Sequence, residues 1–424
     1  MTVAALLERL LGPSVPVAFR AYDGSTFGPR DAAATVVLRS PDALRRILAA
    51  PNELGFGRAY VAGDLDVEGD IFAVLALRTQ LGALHVGPRE AMAGLGVLGF
   101  RALLRRPPIP REEARLRGRR HSRARDAEAI AFHYDLSNAF YAMLLGPSLT
   151  YSCAVWLDGT STLEDAQAAK HELVCRKLGL EPGMRLLDVG CGWGGMLIHA
   201  AREHGVRAVG VTLSREQAEL AAHRVADAGL DGLVEVRFAD YRDVDDGPFD
   251  AISSIGMFEH VGRAQLETYF ASLHGLLRPE GRLLNHGIAR VAGIARAGRG
   301  GRRLQRASPD FVNRYVFPDG ELEEVGVVVT TVQHAGFEVR HVENLREHYA
   351  RTLRCWLANL ERGWATAVAE IGEARARVWR LYLAVATVLF EGHGTEVHQV
   401  LAVRTAGGRS GFPLATPGRW DRSR

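Results

Sequence analysis

From about residue 129 onward, short apolar runs alternate with stretches of helical periodicity, the spacing of strands and helices in a parallel sheet. Arg185–Val189 predicts a buried strand, followed by a glycine-rich turn and a helix to about His204. Ala208–Leu213 predicts a second strand, and Ser214 stands where an N-cap would start the next helix. Val234–Ala239, Phe249–Ile255 and Arg282–His286 predict three more strands. Residues from Arg351 onward predict helices, with Trp356, Leu360 and Trp364 at helical spacing on a core-facing side. The N-terminal part has a different rhythm. Val15–Tyr22 and Thr35–Arg39 predict strands around an Asp23-Gly24-Ser25 turn. Ser40-Pro41-Asp42 then opens a helix through Ala49, closed by Pro51. No catalytic constellation stands in this part. The expected fold class is α/β, a doubly wound domain preceded by a smaller α/β domain.

A chain of 424 residues exceeds one ordinary core, which supports that division. The expected boundaries are residues 1–105 for the first domain, 106–128 for a linker and 129–424 for the second. Between Arg101 and Arg125 stand ten arginines, two acids (Glu112 and Glu113) and Pro107, Pro108 and Pro110. Such a run reads first as solvated linker and second as a binding surface. Hydrophobic residues at 47%, charged residues at 24% and a formal charge of +3 describe a globular chain. Its basic residues are almost all Arg, the only lysines being Lys170 and Lys177. Cys153, Cys175, Cys191 and Cys355 form no CxxC pair, as expected in the reducing cytoplasm. Glu8 and Arg9 interrupt what a secretory segment would keep apolar. The longest apolar run, Leu381–Phe390, is too short for a span, which needs about 20 residues. Any membrane is met from its surface.

The candidate chemistry begins at Leu187-Asp188-Val189-Gly190-Cys191-Gly192-Trp193-Gly194-Gly195, where the first strand of the larger domain turns into a helix. Glycines there allow positive φ and close approach of a ligand. The spacing is G-x-G-x-G with Asp188 two residues before the first glycine. That pattern resembles S-adenosylmethionine methyltransferases and differs from the G-x-G-x-x-G of dinucleotide-binding proteins. The second strand ends in Thr212-Leu213-Ser214-Arg215-Glu216-Gln217 in place of the usual acid, so hydroxyls and the Gln217 amide are the expected ribose partners. Asp240 and Tyr241 close the third strand, where an adenine amine needs an acceptor and its ring a flat neighbour. Ser214 also reads simply as an N-cap. After the fourth strand, Ser254 to Gly262 lacks the Asn/Asp-Pro-Pro-aromatic motif that holds a nucleic-acid amine. No nucleic-acid partner is expected.

The chain resembles the cyclopropane-fatty-acyl-phospholipid synthase family, which also includes the mycolic acid cyclopropane synthases. The matching segments are His133–Asn138, Tyr151–Ala154, the glycine motif, Thr212–Gln217, Phe258–Gly262, Arg314–Pro318 and His348–Leu353, in family order. Gly57–Asp64 resembles the extra N-terminal domain of the phospholipid-acting members, so residues 1–105 are expected to be lipid-associated. The resemblance implies a Rossmann-like class I methyltransferase domain that adds the sulfonium methyl to a cis double bond of a phospholipid acyl chain. In the family, a base attributed to bound bicarbonate then removes a proton from the new methyl so that the ring closes. Carried over, the bicarbonate cage is Cys153, Glu259, His286, Ile288 through its backbone, and Tyr349. The implied cofactor residues are Tyr134, Tyr151, Ser152, Asp188, Gly190, Cys191, Gly192, Gly194, Thr212, Leu213, Ser214, Gln217, Asp240 and Tyr241; no metal is expected. Ala386 stands where some relatives have a cysteine, which excludes a covalent thiol there. Arg290–Arg306, with six arginines and no acid, reads either as a loop for lipid phosphates or as disordered chain. The expected partner is an anionic surface of unsaturated phospholipids on the inner face of the cell membrane, and a homodimer stays open. Two further readings are a relative that stops at methylene- or methyl-branched chains and a silent lipid-binding protein on the same fold.

Overall fold

Two sheets organise the chain. A computed structural model describes residues 1–50, 52–81, 107–115, 118, 120–134, 136–159, 162–292 and 310–414. Asp135 and much of both arginine runs (101–106, 116–117, 119 and 293–309) lie outside the described residues. The chain forms two compact units.

The first unit draws on Met1–Arg115, Gly298–Val316 and Trp364–Val388. The last two segments fall within the 129–424 stretch that the sequence pattern assigned to the larger domain. Its sheet contains β1 (Ala18–Arg20), β2 (Thr26–Phe27), β3 (Ala34–Leu38) and β4 (Leu65–Gly69) in the order β2-β1-β3-β4. The Asp23–Ser25 turn leads into β2, held by Asp23 Oδ1 accepting from the Ser25 backbone N–H at 3.1 Å. Ser40 caps the helix Pro41–Ala49, as the pattern predicts. The Gly57–Asp64 motif is structural in its contacts. Arg58 forks onto Glu113 with two bonds of 2.8 Å, Arg380 donates to the Tyr60 hydroxyl at 3.1 Å, and Asp64 accepts from Arg46 at 2.8 Å. Glu113, buried, also accepts from Arg314 and from the Tyr315 hydroxyl. Glu113 is therefore packed and paired, whereas Arg111 and Arg115 on either side of it are exposed.

The second unit draws on Leu116–Ala297, Phe317–Gly363 and Leu389–Arg424. Its strands are β5 (Arg185–Val189), β6 (Arg207–Thr212), β7 (Val234–Phe238), β8 (Phe249–Ile255), β9 (Leu277–Arg290), β10 (Phe337–Asn344) and β11 (Thr395–Arg404). They lie in the order β10-β11-β9-β8-β5-β6-β7. β7-β6-β5-β8-β9 pair in parallel, while β11 runs antiparallel to both β9 and β10. The order reverses between β5 and β8, and a doubly wound sheet opens its ligand crevice at such a switch point. β5 shows why the sheet is buried on both faces. Leu187 and Val189 join a core with Tyr269, Phe270 and Phe337, whereas Leu186 packs with Val174 and Leu197 in another.

Helices do occupy much of the chain after Arg351, but Thr395–Arg404 is a strand and corrects that expectation. Eight of its ten residues are buried, polar Thr395, His398 and Gln399 among them, so the sequence lacks the alternation that marks a half-exposed strand. β10 was not anticipated, and β9 begins five residues before the predicted Arg282, at Leu277. Trp356 and Leu360 are core residues, both fully buried. Among the described residues, no helix is long and apolar enough to cross a membrane.

Candidate active site

β5 ends at Val189, and the chain then turns through Gly190 (φ 80°) and Gly192 (φ 55°), both in the left-handed region that favours glycine. The Gly190 and Cys191 N–H groups donate to the Val211 carbonyl of β6 at 2.9 and 3.0 Å, which fixes the turn to the sheet. A Cβ on Gly192 would meet nothing within 4 Å, while one on Gly190 would come 3.3 Å from Met257 Sδ. The turn floors an open pocket at the carboxyl ends of β5 and β6, where a doubly wound sheet binds its ligand. Tyr134, Tyr151, Ser152, Asp188, Gly190, Cys191, Gly192, Thr212, Leu213, Gln217 and Tyr241 line it. The expected cofactor set therefore converges on one cavity, with three exceptions.

Gly194 packs against Ala221 at the start of the helix Gly195–His204. Ser214 is buried as the N-cap of the helix Arg215–Asp227 and accepts from the Gln217 N–H at 3.3 Å. Asp240 is taken up by Arg242, which donates from its backbone N–H at 3.0 Å and its Nε at 2.8 Å. Burial alone would raise the Asp240 carboxyl, but the Arg242 bonds outweigh it and hold the group below its ordinary range. None of the three lines the cavity.

The polar groups that do line it are mostly partnered inside the protein. Thr212 Oγ1 donates to Gln217 Oε1 at 2.8 Å, and Ser253 donates to Asp188 Oδ1 at 2.6 Å. Burial raises the Asp188 carboxyl to about 6. Lys170 reaches the cavity from the helix Leu163–Leu178 and donates to Ser152 Oγ at 3.2 Å. Burial pulls its ammonium down to about 8, against the attraction of Asp188. Tyr134 sets its ring edge-on to Tyr151 and Trp193, giving the cavity an aromatic side suited to a sulfonium cation.

The five expected bicarbonate residues lie on four different segments. Glu259 sits in the short helix Phe258–Val261, and its Oε1 accepts from the Ile288 backbone N–H of β9 at 2.7 Å. Gly287 permits that approach, since a Cβ there would lie 2.0 Å from the Phe258 ring and 3.3 Å from Glu259 Oε1. His286 precedes Ile288 by two residues on β9, so their side chains share a face of the sheet. Cys153, fully buried, contacts the Leu345 carbonyl, which also accepts from the Tyr349 N–H at the start of the helix Arg346–Arg362. The Tyr349 ring packs on Phe390 and Trp356. Glu259 with Ile288 is thus a direct contact, and Leu345 links the segments of Cys153 and Tyr349.

Two polar atoms of this set are buried without a hydrogen-bond partner, Glu259 Oε2 and His286 Nε2. Buried polar groups are ordinarily satisfied, so these two atoms stand out within the set, and none of the five residues lines the cavity described above. Burial raises the Glu259 carboxyl to about 7, lowers the His286 imidazole to about 3 and pushes the Cys153 thiol far up. Neutral Cys153 and His286 are hydrogen-bond donors of the kind an oxyanion takes.

Sequence pattern did not single out Lys170, Trp193, His260 or Met257, which also line the cavity, or Gln399, which bonds His286. The one available signal was composition: in an Arg-dominated chain both lysines are buried beside this site. Elsewhere, the ligand atoms of Cys175, His199 and His204 lie within 4.8 Å of one another. Glu172 Oε2 meets both imidazoles, at 3.4 and 3.0 Å, which accounts for the grouping without a metal.

A family model described as mycolic acid cyclopropane synthetase matches residues 121–400. The chain is 46% identical over 400 residues to the "Probable fatty acid methyltransferase Rv3720" of Mycobacterium tuberculosis, covering 92% of this chain and 91% of that protein. It is 33% identical over 377 residues to the cyclopropane-fatty-acyl-phospholipid synthase of Escherichia coli K12, covering 88% of each. Among solved structures, mycolic acid cyclopropane synthase CmaA1 complexed with SAH and CTAB superposes with a TM-score of 0.62 at 35% identity. That match covers 65% of this chain and 97% of that one.

Proposed function

The chain belongs to the mycolic acid cyclopropane synthetase family and is an S-adenosylmethionine-dependent methyltransferase; on that premise we propose that it methylates the cis double bond of unsaturated phospholipid acyl chains and closes a cyclopropane ring. The observation that carries this reading is the pair of orphaned buried atoms, Glu259 Oε2 and His286 Nε2, in a site whose cofactor side is otherwise satisfied. An alkene is a weak nucleophile, so the protein's part is to hold it in line with the sulfonium methyl and exclude water. The new C–C bond forms as the C–S bond breaks, leaving a carbocation on the acyl chain. Loss of a proton from the transferred methyl then supplies the electron pair of the second ring bond.

A bound bicarbonate would supply the base for that proton, held by Cys153, Glu259, His286, the Ile288 backbone and Tyr349. His286 and Tyr349 would serve an oxyanion as neutral donors, and Cys153 would do so by turning its S–H from the Leu345 carbonyl. Glu259, already anchored on the Ile288 N–H, can accept from the bicarbonate hydroxyl. The aromatic side of the cavity faces the sulfonium with rings, which favour a cation without attacking it. The substrate is a lipid, so the enzyme works from the cytoplasmic membrane surface in this reading.

A second reading has the cation lose a different proton at the same site and release a methylene- or methyl-branched chain that keeps a double bond. The similarity to a probable fatty acid methyltransferase favours it. Mass spectrometry of lipids from a host expressing the chain tests both. A gain of one CH2 with loss of double-bond reactivity identifies the ring. Retained double-bond reactivity identifies the methylene product, and unaltered lipids overturn the proposal.

A further inference from the structure

Glu343, Gln399 and His286 form one row across three neighbouring strands: Glu343 of β10 stands opposite Gln399 of β11, which stands opposite His286 of β9. Lys177, from the helix Leu163–Leu178, bridges the first two, contacting the Glu343 carboxylate and donating to Gln399 Oε1 at 2.7 Å. Gln399 Nε2 lies 3.1 Å from His286 Nδ1. Lys177 and Gln399 are fully buried.

The chemistry of the groups orders the protons along this row. An ammonium has donors only, so the Gln399 atom that faces it must be the carbonyl oxygen. The amide nitrogen then necessarily faces His286, and it too has only donors to offer. His286 Nδ1 must accept, which puts the ring proton on Nε2, the atom that has no partner in the protein.

We propose that Lys177 and Gln399 are positioning residues that lock His286 as the Nε2–H tautomer, making it a hydrogen-bond donor in the active site and barring it as the base. The inference rests on the proposed function for the use of that donor, but the tautomer follows from the contacts alone. The cationic surroundings agree with it. Burial first, then Lys170, Lys177 and His398, oppose a second proton on the ring. Burial also works against the Lys177 charge, and the Glu343 carboxylate opposes that loss. The scarcity of lysine fits the role, because a slim point charge enters a row of side chains where a guanidinium fork would splay it.

The test is long-range nitrogen–proton NMR on the full chain labelled with 15N-histidine, with His286 assigned by its loss in His286→Gln. Expected in the wild type is a protonated Nε2 and a bare Nδ1. Gln399→Glu keeps the shape and gives Lys177 a carboxylate, but it can only accept, so His286 must turn to the Nδ1–H form. Affinity for S-adenosylhomocysteine should stay within about twofold, while turnover on unsaturated phospholipid falls about 10²-fold, as when one preorganised donor is lost. Lys177→Met frees the amide and should give a mixture of both tautomers. A wild-type Nδ1–H or doubly protonated ring overturns the proposal, even if Gln399→Glu does not fold. A flipped tautomer with unchanged turnover overturns the positioning role. A wild type inactive on every lipid would remove the functional reading and leave the tautomer result standing.

Discussion

The two halves of the active site are built on opposite terms. On the cofactor side, beside β5 and β6, Asp188 has Ser253, Thr212 has Gln217 and Ser152 has Lys170. On the other side, around Glu259 and His286, one atom of each side chain is buried with nothing to bond. Both halves are desolvated, so the difference lies in satisfaction, not exposure. A cofactor that arrives with its own ribose and carboxylate groups can be met by a preformed surface. On the proposed function, the reacting centre instead leaves Glu259 Oε2 and His286 Nε2 open for the anion.

The contrast breaks most visibly at Glu259. Glu259→Gln keeps the shape and removes the charge, so turnover should fall by about 10²–10⁴ while S-adenosylhomocysteine affinity changes little. Stripping bicarbonate from the buffer should slow the wild type, with recovery on its return. If depletion leaves the wild-type rate untouched while Glu259→Gln stays inactive, Glu259 itself takes the proton and the caged-anion reading fails.

The reverse dissociation is expected on the cofactor side. Gly190→Val and Gly192→Val place a β-branched residue at positive φ, a strain of about 1–3 kcal/mol each. Gly192 lines the cavity, and a Cβ there meets no protein atom within 4 Å, so the new side chain would take space from the cofactor. Calorimetric titration with S-adenosylhomocysteine should show affinity falling at least about tenfold in Gly192→Val. Unchanged affinity in both variants would move the cofactor elsewhere.

The same contrast separates what the sequence made legible from what it hid. The cofactor half was readable because one contiguous motif, Asp188 to Gly195, encodes a turn whose φ angles demand glycine. Even there, Ser214 and Asp240 have local partners, a cap and Arg242, and do not line the cavity. The catalytic half was legible only through resemblance, because its contacts are distant in the chain. Lys177 and Gln399 are 222 residues apart, and Gln399 and His286 are 113 apart. Gln399 was doubly hidden, on a buried strand whose polar and apolar residues follow no period of two.

Acidity sharpens the comparison with a smaller effect. With the Glu259 carboxyl raised to about 7, the charged form needed for turnover is lost as pH falls below that value. The rate on phospholipid should therefore rise with pH through about 7, and Glu259→Gln should lack that limb. Stability runs the other way. The fold keeps this proton longer than the unfolded chain, whose carboxyl titrates near 4.5, so its contribution declines as pH rises from there to about 7. A rate profile flat across neutrality would detach Glu259 from the chemistry.

The smallest expected effect concerns the membrane surface. An arginine near an anionic bilayer contributes about 1 kcal/mol, provided its charge is free to face the lipid. Several arginines of the 101–125 run are already committed: Arg120 and Arg125 to Asp319, and Arg123 to Asp243 at 3.0 Å. The Arg123–Asp243 pair is exposed on both sides, where an ion pair is worth only about 0–1 kcal/mol, so it competes weakly with lipid phosphate. Asp243→Asn should release Arg123 and raise binding to anionic vesicles by no more than about fivefold, with no gain on neutral vesicles. Co-sedimentation at low and high salt is the measurement, since a contribution of this kind is screened as the Debye length shrinks. Equal binding to neutral vesicles, or binding indifferent to salt in wild type and variant alike, would mean that the arginines serve the fold and that acyl chains reach the site by another route.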